Sequence, residues 1–136
     1  MATRLTRVWM VVGLGMTVLG AYVASAQGQA AWEAPATEKA KKNPLPADAK
    51  VVAQGKKVAD INCASCHGSK GKGDGVAAAA LSPKPADWTS AKVQAESDGE
   101  IFWKISTGRG AMPSWKHLPE NDRWALVRYI RSVGGQ

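Results

Sequence analysis

The residues best equipped for chemistry are Cys63-Ala64-Ser65-Cys66-His67, two cysteines three apart followed at once by a histidine. They include the only two cysteines of the chain and one of its two histidines. Four chemistries use such a group: a disulfide, a zinc site, thiol–disulfide exchange and covalent haem attachment. A disulfide here would close a tiny loop and constrain the chain little. Structural zinc needs four ligands, and beyond His67 the only further Cys or His is the distant His117. A redox C-x-x-C follows a strand in a βαβ unit, whereas a helical pattern leads into Cys63. C-x-x-C-H is the spacing of c-type haem attachment. At a helix end two thiols three apart can reach the two vinyl groups of one porphyrin, and His67 is then directed at the iron.

A low-spin electron-transfer haem needs a second axial ligand, and Met112 is the candidate. The other methionines, Met1, Met10 and Met16, lie in an N-terminal segment expected to be removed. Met112 stands in "STGRGAMPSW", where Gly108 and Gly110 let the backbone turn and Pro113 stiffens the residue after the sulfur. The competing role is that of a core gap-filler, but core methionines more often sit on helix stripes. His117, five residues further on, is the rival ligand and is read as a surface histidine. The glycine-rich "GSKGKGDGVAAA" lacks the Gly-Lys-Ser/Thr ending of a phosphate loop and follows the cysteines rather than a strand.

The elements that must position these residues read as helical. Val51, Val52, Gly55, Val58, Ala59, Ile61 and Asn62 form an approximate stripe running into Cys63. Residues 68–95 are rich in Gly, Pro and Ala and carry no strong strand pattern. A second helix is expected over Ser97–Ser106, with Ser97 and Glu100 as a capping box and Ile101, Phe102 and Ile105 buried. The last helix opens at Pro119, with Glu120 and Asp122 where the helix dipole favours negative charge. Leu126, Ile130 and Val133, widened by Val127 and Tyr129, form its apolar stripe, and Gly134-Gly135 stops it. The domain is expected to be all-α. Three modest helices and long Gly/Pro loops bury little surface for so small a domain, and a large apolar ring would supply the missing core.

The 136 residues suffice for one ordinary domain. Arg4 and Arg7, the uncharged run from Val8 to Val23, and Ala24-Ser25-Ala26 read as a signal peptide, residues 1–26, cleaved near Ala26. That run spans about 24 Å as a helix, short of the roughly 30 Å hydrocarbon core. Cleavage removes two arginines and no acidic residue, so the net charge falls from +7 to +5. A modest basic excess favours partners with acidic surfaces. Nucleic acid is a poor fit, because the lysines are scattered and the protein reads as exported. Residues 27–47, "QGQAAWEAPATEKAKKNPLPA", read as a flexible Ala/Pro/Lys-rich arm with Trp32 alone in it, and residues 48–136 as the folded domain.

Taken together, "GKKVADINCASCHGSKGKGDG", "LSPKPADW", "DGEIFWKISTGRGAMPSW" and "LPENDRWALVRYIRSV" resemble the small bacterial mono-haem class I c-type cytochromes over about residues 50–134. The resemblance implies three main helices wrapped around one covalently bound haem c. Cys63 and Cys66 would be the thioether sites, His67 the proximal iron ligand and Met112 the distal one. It also implies that the first and last helices cross at a glycine, here Gly55, faced by Trp124, Val127 and Tyr129. Val58 stands where the family often has an aromatic residue. A proline carbonyl, of Pro83 or Pro85, would hold the other nitrogen of His67.

The expected function is one-electron transfer between membrane-bound or periplasmic redox proteins, without catalysis of a bond-making reaction. Lys72, Lys84 and Lys116 flank the proposed ligands and are the expected basic rim for acidic partners. Two alternatives stand beside a diffusible carrier. One is a subunit held permanently in a dehydrogenase or oxidase complex, with membrane-complex association through the 27–47 arm. The other is a haem enzyme or gas sensor with an open sixth position.

Overall fold

The computed structural model describes residues 31–135, and the signal peptide expected at 1–26 lies outside them. The helices are α1 (Ala36–Lys39), α2 (Ala49–Asn62), α3 (Ala64–His67), α4 (Ala91–Gln94), α5 (Asp98–Thr107) and α6 (Glu120–Val133), with a single 3-10 turn at Ala78–Ala80. No strand occurs among the described residues; one isolated bridge pairs Arg109 with Met112. Nor is any helix among them long and apolar enough to cross a membrane.

Each long helix begins where local chemistry permits. The Asp48 carboxylate accepts from the Val51 N–H at 2.8 Å and starts α2. Ser97 Oγ accepts from the Glu100 N–H at 3.1 Å and starts α5. The reciprocal half of the expected capping box is not made: the Glu100 carboxylate is buried and turns to Lys104, 3.3 Å away, and Lys39, 3.8 Å away. An ion pair inside the fold takes the carboxylate away from the Ser97 N–H. Pro119 is the residue before α6 rather than its first, and acidic Glu120 and Asp122 occupy the first turn.

The core is built on α6. Leu126, Val127 and Ile130 are its most deeply buried large side chains, and Trp124, Ala125 and Tyr129 are buried beside them. A helix so buried on several sides must be embraced by its neighbours. On one side α2 crosses it at Gly55, where an added Cβ would lie 2.0 Å from the Ala125 carbonyl oxygen and 2.9 Å from Tyr129 Cβ. On another, Trp124 stacks on Phe102 of α5 with ring centroids 3.8 Å apart. The glycine contact expected with Trp124, Val127 and Tyr129 is thus made by Ala125 and Tyr129, with Trp124 stacked on α5. Ile61 departs from its expected stripe and is 81 % exposed. Gly55, Val58 and Ala59 define the buried face of α2, and Ile61 is two residues, about 200°, beyond Ala59.

The arm expected to be flexible over 27–47 lies on the domain from Trp32 onward. Ala34 is buried, and the Lys39 carbonyl accepts from Ser97 Oγ at 2.8 Å. Asn43 Nδ2 donates to the Trp124 carbonyl at 2.9 Å, and Arg128 Nε donates to the Leu45 carbonyl at 3.0 Å. Trp32 rests against Trp103 at 6.5 Å, with Lys104 Nζ 5.6 Å from its ring centroid. Composition hides this strap because its anchors are backbone carbonyls and partners distant in sequence.

Candidate haem-attachment site

The motif is carried on a helical turn that prolongs α2. Cys63 N–H still bonds back to the Ala59 carbonyl at 2.9 Å, and His67 N–H bonds to the Cys63 carbonyl at 2.8 Å. Cys63 is buried, Cys66 is half-buried, and both are free thiols. Burial, with a smaller contribution from Cys66, pushes the Cys63 pKa up to about 12. Among the described residues no three His, Cys, Asp or Glu side chains converge to hold a metal ion.

His67 is buried, and burial lowers its pKa; the Ala86 carbonyl opposes that shift without reversing it. Burial thus favours the neutral imidazole over the charged one. Its Nδ1 lies 3.0 Å from the Ala86 carbonyl oxygen. A carbonyl can only accept, so Nδ1 carries the proton and Nε2 keeps its lone pair. The partner is neither Pro83 nor Pro85, as expected, but the residue after Pro85. The bond to Ala86 needs only a carbonyl aimed at the ring, and side-chain identity could not mark which peptide that is.

A second contact was not foreseen. The Trp88 indole stacks on His67 with centroids 4.8 Å apart and planes 25° apart. The Trp88 backbone N–H donates to the Gly71 carbonyl at 2.7 Å. Gly71 has φ +71°, and a Cβ there would lie 2.3 Å from Trp88 Cε3, so only glycine admits the indole. The loop after the motif folds back over it: Gly73, Gly75 and Ala77 donate to the carbonyls of His67, Cys66 and Ser65 at 2.8, 3.1 and 2.9 Å. Trp88 ends the quoted motif "LSPKPADW", but it stands 21 residues from His67, and only the fold-back of the loop brings the two rings together.

Met112 is half-buried and packs against the same hydrophobic cluster that contains Cys63 and Trp88. Its loop is tied down by the Met112–Arg109 bridge, with N–H to carbonyl distances of 2.8 and 3.0 Å. Ser114 Oγ donates to the Ser106 carbonyl at 2.6 Å, and Trp115 N–H donates to that of Ile105 at 3.1 Å. His117 is exposed beside Trp115, with rings 5.6 Å apart. A cleft of about 430 Å³ includes Val58, Ile61, Asn62 and Leu118 in its walls, one turn before Cys63. Two free thiols, an imidazole whose Nδ1 faces a carbonyl, and a thioether packed against the apolar cluster that contains Cys63 form a donor set that fits covalently attached haem.

The three expected rim lysines are exposed. Lys72 lines a groove of about 520 Å³ with Lys56, Lys70, Thr89 and Tyr129, while Lys84 and Lys116 do not.

Comparison with known proteins agrees with this reading. Residues 50–130 match the family model described as cytochrome c oxidase, cbb3-type, subunit III. The chain is 38 % identical over 97 residues to the cbb3-type cytochrome c oxidase subunit CcoP of Azospirillum sp. (strain B510), covering 65 % of this chain and 31 % of that one. It is 35 % identical over 86 residues to cytochrome c6 of Cladophora glomerata, covering 61 % of this chain and 89 % of the relative. Among solved structures it resembles a chain of the Kuenenia stuttgartiensis reducing HAO-like protein complex Kustc0457/Kustc0458. That likeness has a TM-score of 0.59 and 31 % identity, over 66 % of this chain and 46 % of that one. The chain thus spans less than a third of the oxidase-subunit relative but most of the small cytochrome. With more than half its length matched by the family model, the protein belongs to the cytochrome c family, and its all-α domain has the class I fold.

Proposed function

We propose that the protein is a one-electron carrier in which Cys63 and Cys66 hold haem c as thioethers, His67 is the proximal iron ligand and Met112 the distal one. The observation that carries this reading is a buried His67 with Nδ1 on the Ala86 carbonyl, directly after two free thiols, together with a methionine packed on the apolar cluster that contains Cys63. When bound, the haem supplies a reversible one-electron couple. The chain's own residues do the rest. Ala86 keeps the His67 proton on Nδ1, the Met112 loop offers a soft sulfur, and the cluster around α6 buries Cys63. His/Met ligation raises the potential relative to two nitrogen ligands. The protein acts without catalysing a bond-making reaction. It is exported after loss of residues 1–26, and its partners are redox proteins with acidic docking surfaces.

Permanent residence in a redox complex is the second reading, motivated by the relatives: one is an oxidase subunit by name and another a chain of an HAO-like complex. Native purification distinguishes the two, since a carrier runs free of larger assemblies.

The test of ligation is the absorption spectrum of the mature protein in both oxidation states. A covalent low-spin haem with the weak long-wavelength band of a sulfur–ferric iron bond is expected, and Met112→Ala should abolish that band. A low-spin spectrum without the band would transfer the distal role to His117. A high-spin spectrum that shifts with carbon monoxide would overturn the carrier in favour of an enzyme or sensor.

A further inference from the structure

The hydrogen bond from His67 Nδ1 to Ala86 restrains the imidazole plane, but one bond tolerates a range of the final torsion, whose minima are broad. A second contact narrows that range: among the described residues the Trp88 indole lies flat against the ring, 4.8 Å away and 25° from parallel.

Trp88 is itself held in place. Its backbone N–H is anchored on Gly71, and its carbonyl accepts from Gln94 Nε2 at 2.6 Å. Its ring meets Tyr129 of α6 edge-on, with centroids 6.2 Å apart and planes at 87°. Tyr129 Oη donates in turn to the Ser69 carbonyl at 3.2 Å. The indole therefore connects His67 both to the loop that covers the motif and to the most buried helix. Only 6 % of Trp88 is exposed, so ordinary core packing accounts for its burial. Core packing does not account for a nearly parallel face on a histidine, an arrangement kept open by a glycine at φ +71°.

We propose that Trp88 is a positioning residue for His67: its indole face sets the plane of the imidazole and, being electron-rich, favours the more positive state of that ring. The proposal rests on His67 being the proximal ligand. An imidazole bonded to ferric iron carries more positive charge than one bonded to ferrous iron, and an aromatic face stabilises positive charge above it. Trp88 should therefore lower the reduction potential. Its removal should raise the potential, while an aromatic replacement should restore most of it.

The experiment uses the full haem-loaded protein and the variants Trp88→Leu and Trp88→Phe, with redox titration and proton NMR. Trp88→Leu is expected to raise the potential by the equivalent of a three- to tenfold change in the ferrous-to-ferric ratio at fixed poise, tenfold being about 59 mV for one electron. Trp88→Phe should return most of that shift. A Trp88→Leu protein that is less stable but has an unchanged potential would make Trp88 a core residue only and overturn the proposal. The ferrous wild type supplies a reading independent of variant folding: nuclear Overhauser contacts between the Trp88 and His67 rings are expected, and their absence also overturns it. Failure of the underlying ligation looks different. The wild-type spectrum would then lack histidine–methionine character, whatever the substitutions at Trp88 do.

Discussion

The crossing of α2 and α6 and the loop of residues 68–88 flank the same cysteine motif, yet different forces hold them. At the crossing, side chains interlock: Gly55 admits the Ala125 carbonyl, and Leu126, Val127 and Ile130 are sealed from solvent. In the loop few large side chains are buried. Its shape comes from backbone hydrogen bonds onto the motif's own carbonyls and from the single indole on His67. Close-packed interiors respond to volume, whereas hydrogen-bonded loops respond to backbone conformation and to individual donors. Substitutions at the crossing should therefore change whether the domain is folded, and those in the loop how His67 is presented.

The sharpest test of the crossing is Gly55→Ala. Helix propensity alone would favour alanine by about 1 kcal/mol. The new methyl would meet backbone 2.0 Å away, which no rotamer change relieves. Overpacking should win, with a net loss of about 3 kcal/mol, read as a lower urea midpoint at an unchanged slope. An unchanged or raised midpoint would mean that the two helices are not locked at this residue.

The loop is tested by two glycines with similar dihedrals and different surroundings. Gly71 has φ +71° and faces the Trp88 ring, while Gly110 has φ +58° and nothing within 4 Å of an added Cβ. Alanine at Gly110 should cost only the left-handed conformation, about 1 kcal/mol. Alanine at Gly71 should cost about 2 kcal/mol, the same conformational penalty plus displacement of the indole, and should perturb the haem spectrum as well. Equal losses at the two positions, with equal spectra, would show that Trp88 is not held by Gly71.

Trp32→Ala probes the strap, a region between the two in character. Trp32 is half-buried against Trp103 and Lys104, so its loss should cost about 1 kcal/mol. Proteolysis should then cleave the segment before the domain unfolds. Cleavage no faster than in the wild type would mean that Ser97, Asn43 and Arg128 hold the strap without Trp32.

How much of this was legible follows the same division. The helix start at Ser97, the stop at Gly134 and the cysteine–histidine spacing depend on residues close in sequence and were read directly, and the start near Pro119 was read to within one residue. The crossing at Gly55 came from the family resemblance, since its partner lies on another helix. The four-residue helices α1, α3 and α4 were not foreseen, because such short turns leave no periodicity. The strap and the carbonyl of Ala86 were missed because they depend on main-chain atoms meeting side chains from far along the chain. Ile61 was misplaced since an apolar residue beside a stripe looks like part of it until the buried face is fixed by a neighbouring helix. Trp88 was visible as a residue but not as a contact, for its partner is set by the fold-back of the loop.

The smallest expected effect lies in the turn that delivers Trp88. Asp87 Oδ1 accepts from the Thr89 N–H at 2.8 Å and from Thr89 Oγ1 at 2.7 Å. These bonds, chiefly that of the hydroxyl and aided by Lys72, hold the Asp87 pKa below its ordinary value. A depressed folded-state pKa means that the carboxylate's contribution is fully present above the unfolded value, near 3.9. It is lost as pH falls through the lower folded value, because the protonated acid accepts these bonds less well. A carbon-13 titration should accordingly place the Asp87 midpoint below that of an unstructured aspartate, and Thr89→Val should move it upward. The group is open to solvent, so the global unfolding midpoint should barely respond to Thr89→Val at neutral pH. A midpoint at the ordinary value would mean that the turn is held by backbone bonds alone, extending to this side chain the rule that governs the rest of the loop.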